Sequence, residues 1–318
     1  MADMGKVLLI ANPTAQSGKS LKSAIHAEES FKAVLGERNF DIVYTKAPGH
    51  ATDIAKSKSH KYDTLIALGG DGLIHETVNG IMKHSKRSRP VFGIIPVGSG
   101  NDYAKTLNMS TNIDNAISKI LKRKTKDADL GCINGEYYDE TLSFGFDAAI
   151  ALSTMELRKN TSMRGLPLYF RAGIDQMLHH LDLYKYTITA KDIAPVNEYK
   201  SLMQDGIPFT DETFMAAVQI GPTYGGGFKI CPKAQINDGL FDVCIAHPPL
   251  NIPKAIGIFS SAVRGHHTKM RGMEMFRCSE LELSFEHEPK IQADGEPIYG
   301  TDFKITCVKH ALDVIYSD

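Results

Sequence analysis

Residues Thr64 to Gly72 read Thr-Leu-Ile-Ala-Leu-Gly-Gly-Asp-Gly. An apolar run of this length, rich in branched residues and ending on glycines, predicts a buried strand that runs into a tight turn. Ile74, Val78, Ile81 and Met82 follow at helical spacing, so the turn opens a helix. A strand, a Gly-rich turn and a helix in that order form half of a parallel crossover unit.

The same grammar repeats on both sides of this stretch. Lys6 to Ala11 reads as a strand and Lys19 to Leu35 as a helix; Asp41 to Thr45 and Ala51 to Ser59 read as the next pair. Val91 to Ile95 is a further strand, followed by a Gly-rich turn and a helix. Alternation of this kind predicts an α/β N-terminal domain with a parallel sheet, whose ligands bind at the carboxyl ends of the strands. From about Ala128 the texture changes. Asn134-Gly135 is a type I′ hairpin signal, and Tyr186 to Thr189, Phe214 to Ile220, Phe241 to Ala246, Leu281 to Phe285 and Phe303 to Val308 are short β-rich segments. Helical stretches near Leu168 to Leu181 and Ile252 to Arg264 interrupt them, giving a β-rich antiparallel second domain. The boundaries expected are 1–127 and 128–297. Asp192 to Pro208 reads as a polar, mobile flap.

Composition narrows the function classes. A hydrophobic fraction of 42% supports a packed core, and a formal net charge of −1 gives no pull toward nucleic acid. Five cysteines without CxxC spacing argue against a disulfide framework or zinc site and fit a reducing cytoplasm. The start is too short in apolar residues for a signal peptide, and no run is long enough to span a membrane, so any membrane contact is expected to be peripheral. Lys83, Lys86, Arg87 and Arg89 form one basic cluster and Lys122, Arg123, Lys124 and Lys126 another; each either meets anionic lipid or is a solvated helix end.

The turns carry the chemistry. Asn12-Pro13-Thr14-Ala15-Gln16-Ser17-Gly18-Lys19-Ser20 contains Gly-Lys-Ser, yet Pro13 stands where a Walker A loop needs its first glycine. A small polar loop entering a helix remains, where backbone N–H groups hold phosphate and Lys19 adds charge. In Gly69-Gly70-Asp71-Gly72 the glycines let the backbone approach phosphate, and Asp71 either faces a Mg²⁺ beside it or caps the next helix. In Pro96-Val97-Gly98-Ser99-Gly100-Asn101-Asp102, Tyr103 replaces the last glycine of a dinucleotide fingerprint. Ser99 is a candidate for phosphate or ribose, and Asn101 or Asp102 for a helix cap. Three such turns on one sheet edge point to a nucleotide with more than one phosphate. Downstream, Asn237-Asp238-Gly239-Leu240 and Asp294-Gly295-Glu296-Pro297 are acidic turns.

In order and spacing these four motifs resemble the diacylglycerol kinase catalytic family, most closely its bacterial lipid kinases, which share motifs with sphingosine kinases and more distantly with NAD kinases. The resemblance covers nearly the whole chain. It implies ATP in a cleft between the α/β and β-rich domains, with the last residues, 298–318, returning to the first domain. It implies that Asn12, Pro13, Ser17, Gly18, Lys19, Thr45, Gly69, Gly70, Asp71, Gly72, His75, Glu76, Gly98, Ser99, Asn101 and Asp102 line the nucleotide site. It further implies Glu296 as the base for a lipid hydroxyl, with Asp71 and Asp294 in the catalytic set, and a structural Mg²⁺ on Gln235, Asp238 and Leu240. The expected function is ATP- and Mg²⁺-dependent phosphorylation of a lipid, diacylglycerol first, at the inner membrane face; a homodimer fits the family. Leu73 stands where the family usually has threonine and Ser99 where threonine is common. Two alternatives stay open: a kinase of the same broad fold acting on a soluble substrate such as NAD, and a non-catalytic nucleotide- or lipid-binding regulator, which Leu73 motivates. Leu166 to Leu181 and Ile252 to Val263 are the candidate walls of an acyl-chain groove.

Overall fold

The computed structural model describes residues 3–163, 165–179 and 181–318, with the backbone alone at 16, 17, 19 and 159. The chain divides into one unit that runs to Asp129 and includes His310–Asp318, and a second formed by Leu130–Lys309.

In the first unit the strands β1 (Val7–Ala11), β2 (Phe40–Tyr44), β3 (Thr64–Gly69) and β4 (Val91–Pro96) are parallel in the order β2-β1-β3-β4. Every residue of β1 and β3 is buried, as expected where helices cover both faces of a parallel sheet. The covering helices are α1 (Lys19–Leu35), α2 (His50–Lys58), α3 (Asp71–Ile81), α4 (Asp102–Thr106) and α5 (Ile113–Lys122). The end of the chain adds a strand beside β4, with Val314 opposite Phe92.

The second unit is antiparallel. The remaining strands, of which β5 begins and β17 ends in the first unit, are β5 (Thr125–Ile133), β6 (Glu136–Tyr138), β7 (Thr141–Gly145), β8 (Tyr184–Lys191), β9 (Ala194–Pro195), β10 (Phe209–Thr213), β11 (Met215–Gln219), β12 (Phe241–Ala246), β13 (Met273–Cys278), β14 (Glu280–Phe285), β15 (Ile291–Ala293), β16 (Glu296–Ile298) and β17 (Asp302–Ile315). One sheet runs β10-β8-β14-β17 and the other β16-β15-β7-β11-β12-β13-β9. Phe144 of β7 packs on Phe285 of β14 and Phe303 of β17, at 5.4 and 5.5 Å between ring centroids, which fastens the two sheets face to face. The β5–β6 turn holds Asn134 and Gly135 at φ 48° and 94°, both left-handed as a type I′ turn demands.

Helices α6 (Phe146–Asn160), α7 (Leu166–His179) and α8 (Ile252–Ala262) pack apolar faces against the second sheet through Ile150, Ala172, Met177 and Ala255. The sequence reading missed α6, taking no element between β7 and α7. The flap expected at Asp192 to Pro208 is held at its start: β9 pairs with β13, and Asn197 Nδ2 donates to the carbonyls of Thr268 and Met273.

Candidate active site

Because β1 to β4 are parallel and in register, the residues that follow them emerge at one edge: Asn12, Thr45, Gly70 and Val97. Asn12 turns its side chain back on its own loop, Oδ1 accepting from the N–H and the hydroxyl of Thr14 at 3.0 and 2.9 Å. Its carbonyl accepts from Ser20 at the start of α1. Gly18 caps α1 with φ 87°, a left-handed conformation open to glycine. The roles expected of the Ser17 and Lys19 side chains lie outside the described residues.

The β3 and β4 turns are clasped together. The Asp71 carboxylate accepts from the backbone of Asn101 through Oδ2 and of Asp102 through Oδ1, each at 2.9 Å. Asn101 closes the turn from within, accepting from Gly98 N–H and donating to Gly98 C=O, both at 2.8 Å. The backbones of Gly70 and Gly98 lie against each other: a Cβ on Gly98 would stand 2.4 Å from Gly70 Cα, inside any allowed contact. Ser99 is exposed at the tip of this turn. Of the alternatives for Asp71, the geometry favours fastening backbone N–H groups, here those of the neighbouring turn and of α4.

Other expected nucleotide contacts have different work. Glu76 accepts from the N–H groups of Gly49 and Ala51 at 2.8 and 3.0 Å, which caps α2. Both carboxylate oxygens of Glu76 thus act as a helix-capping group at α2. His75 is 4% exposed inside α3, against Asn79. Asp102 takes Lys105 Nζ at 3.0 Å. Leu73 is buried over Gly69, so packing stands here in place of a hydroxyl. In the basic clusters, Arg89 donates to the carbonyls of His84 and Ala311, Arg123 to those of Asp3 and Asp63, and Lys124 pairs with Asp318.

In the second unit, β15 and β16 form a hairpin whose turn residues Asp294 and Gly295 have φ 50° and 95°. Asp294 accepts from the N–H groups of Asp139, Glu140 and Thr141 at 2.9, 3.1 and 3.0 Å, fastening the turn to the start of β7. Glu296 is half-buried, and its carboxylate has no hydrogen-bond or ion-pair partner among the described residues. One acid of this turn is thus structural, and the other is available for a proton. Behind them Gly295 N–H donates to Gln292 Oε1 at 2.6 Å, and Gln292 Nε2 donates to Ser143 Oγ at 2.7 Å. Farther along, Asp238 Oδ1 accepts from Leu240 N–H at 3.1 Å, and its Oδ2 faces the Arg277 guanidinium at 3.5 Å. Gln235 of the same loop is exposed. No group of three or more His, Cys, Asp or Glu able to hold a metal occurs among the described residues. A cation on this loop would therefore rest on one carboxylate, backbone carbonyls and water, which Mg²⁺ accepts because it retains much of its hydration.

The second sheet and helices α6 to α8 line an apolar cavity of about 40 Å³, bordered by Phe146, Ile150, Tyr169, Phe228, Ile258 and Phe259 among others. One carboxyl group, that of Asp147, lines it. Burial pushes the Asp147 carboxyl up to about 7, against a smaller opposing effect of a hydrogen bond from Ser143. Sequence reading missed this residue together with its helix; the signal present was an acid directly after Gly145-Phe146 at the end of a strand.

Comparison with known proteins follows the same division. Residues 6–133 match the family described as "Diacylglycerol kinase catalytic domain", and residues 141–316 match "YegS C-terminal NAD kinase beta sandwich-like domain". The chain is 28% identical over 289 residues to a diacylglycerol kinase of Staphylococcus saprophyticus, covering 91% of this chain and 88% of that protein. It is also 28% identical over 295 residues to a diacylglycerol kinase of Bacillus subtilis, covering 92% and 90%. A crystal structure of a diacylglycerol kinase from Bacillus anthracis superimposes with a TM-score of 0.74 over 100% of this chain and 98% of that one. At 21% identity, that superposition shows the fold. The chain belongs to the diacylglycerol kinase family, a family of lipid kinases.

Proposed function

We propose that the protein transfers the γ-phosphoryl group of ATP to the hydroxyl of a glycerolipid, with diacylglycerol, the lipid named in its relatives, as acceptor. The observation that carries this reading is that Glu296 is a carboxylate without a partner on a hairpin whose other acid is engaged, in a unit whose helices α7 and α8 leave apolar side chains exposed. An alcohol hydroxyl is a weak nucleophile, and a positioned carboxylate takes its proton as the bond to phosphorus forms. On this reading Glu296 is that base, while Asp71 and Asp294 are positioning residues. Asn12, Gly18, Thr45, Gly69 to Gly72 and Ser99 receive the nucleotide at the strand edge, through backbone N–H groups and hydroxyls.

Mg²⁺, when bound, neutralises charge on the phosphates. Asp238 with the carbonyls of Gln235 and Leu240 is the set assigned to a structural Mg²⁺. Among the described residues no helix is long and apolar enough to cross a membrane. Ile174 and Leu178 of α7 and Ile252 and Ile256 of α8 are between 40% and 57% exposed, on two helices that bound the cavity. These residues are assigned to peripheral contact with the bilayer that supplies the lipid.

Labelled γ-phosphate supplied as ATP with Mg²⁺ to a lipid panel in mixed micelles tests the reading. Label in the organic extract supports it. Label confined to the aqueous phase with a soluble acceptor, or no transfer despite ATP binding, overturns it.

A further inference from the structure

The second unit holds a larger concavity, of about 630 Å³, beside the segment that follows β9. That volume lies within the range of about 300–1,000 Å³ usual for ligand pockets. The walls are fastened. Val196 N–H donates to Met275 C=O at 2.9 Å, and Asn197 Oδ1 accepts from Met275 N–H at 3.2 Å, so the segment continues along β13 where β9 leaves off. Two residues on, Tyr199 stacks on His247 at 4.8 Å between ring centroids, and His247 is itself held by Glu274 at 2.7 Å. The hollow is therefore pre-formed, as ligand sites usually are.

Its lining joins two chemistries. Val196, Met270, Met273 and Met275 supply apolar surface, and thioether side chains adapt to irregular apolar shapes. Lys200, Lys233, Lys269 and Arg271 also line it; all four are exposed, and none has an ion-pair partner among the described residues. Two acids stand against them. Glu198 is exposed, whereas Asp242 is buried and already paired with Arg277 at 3.2 Å. Composition does not account for this local excess of positive charge, because the chain's formal net charge is −1. Like charges gathered around a concavity raise the local concentration of the opposite charge.

We propose that this cavity binds one amphiphilic anion, a phosphate monoester on a single alkyl chain, with its head among the four cations and its chain against the methionines. Several cations call for a multiply charged head. A phosphate monoester carries about −1.5 to −2 at pH 7, where a carboxylate carries a single charge. A phosphate without a chain leaves the thioether surface wet, and a neutral lipid leaves the cations unanswered. The site shares no residue with the Glu296 hairpin or the strand-edge turns. It therefore stands or falls independently of the lipid-kinase reading.

The test titrates oleoyl-lysophosphatidate, kept below the concentration at which it forms micelles, into the full chain without ATP. Calorimetry gives the affinity, and methyl-¹³C methionine spectra report where the ligand sits. The expected result is saturable one-to-one binding with shifts at Met270, Met273 and Met275. Glycerol phosphate and monooleoylglycerol, the head and the chain alone, should each bind at least about tenfold more weakly. The combined variant Lys200→Gln, Lys269→Gln, Arg271→Gln should lose about fivefold in affinity for each charge removed, with ATP affinity and melting temperature as in wild type. Vesicles of phosphatidylcholine doped with phosphatidate separate the source: binding to these with no monomer bound overturns the cavity in favour of a charged surface. No saturable binding, equal binding of either fragment, or wild-type affinity in the combined variant also overturns the proposal. None of these outcomes alters the result of the phosphotransfer assay, so the two readings fail separately.

Discussion

Asp71 holds the backbone N–H of Asp102 at 2.9 Å, joining the two turns whose glycines Gly70 and Gly98 meet backbone to backbone. An acid in a Gly-rich turn invites assignment as a metal ligand, yet here both of its oxygens are engaged in keeping two turns in register. Charge-assisted bonds of this kind are worth about 1.5–3 kcal/mol each. Asp71→Asn leaves one accepting oxygen. It should lose roughly that much stability and weaken ATP binding in parallel, measured by thermal unfolding and by titration with ATP.

Gly98→Ala should be more severe. The added methyl would stand 2.4 Å from Gly70 Cα, so backbone and not a flexible side chain must yield. Enforced overpacking costs about 1–3 kcal/mol, and the displaced turn should lose nucleotide affinity by more than the accompanying fall in melting temperature would suggest. An Ala variant with wild-type ATP affinity would remove the Gly–Gly contact from the account.

Glu76→Gln separates capping from nucleotide contact. The cap on α2 is worth about 0.5–2 kcal/mol, so denaturant midpoints should fall by that amount. The Michaelis constant for ATP should stay within about twofold, because the side chain faces Gly49 and Ala51. A large rise in that constant without loss of stability would return Glu76 to the nucleotide.

The pH dependence of stability follows from the cavity. The Asp147 carboxyl is raised from 3.8 to about 7, so the folded protein holds a proton that the unfolded chain releases, and stability falls as pH rises between those values. The shift corresponds to on the order of 4 kcal/mol at pH 8, which Asp147→Asn should largely recover. His267, lowered from 6.5 to about 4, acts oppositely: its contribution is present above 6.5 and lost as pH falls. The two oppose each other between about 4 and 6.5, so comparison of wild type with the Asn variant above pH 7 is the clean measurement.

Much of the fold was legible in the sequence. The helix at Lys19–Leu35 and the strand at Phe241–Ala246 occupy the limits read from periodicity, since each has a regular apolar pattern and a clear stop. Helix α6 was not legible: Phe146-Asp147-Ala148-Ala149-Ile150-Ala151 continues the apolar texture of β7 without a polar face to mark a change of period. The acidic turns were visible but their partners were not. Asp71 bonds Asn101 across 30 residues, Glu76 bonds Ala51 across 25, and Asp294 bonds Asp139 across 155. A sequence shows an acid beside glycines, whereas only the folded backbone shows which N–H groups it meets. That is why Glu296 stands out in the structure as the acid of its hairpin left without a partner.

The most direct measurement is the rate of γ-phosphoryl transfer from ATP to diacylglycerol by wild type and Glu296→Gln at equal ATP occupancy. With Glu296 as the base, the Gln protein should fold, melt and bind ATP like the wild type while turnover falls about 10²–10⁴-fold. Turnover within a few-fold of wild type would contradict the account and send the search for the base elsewhere in the chain.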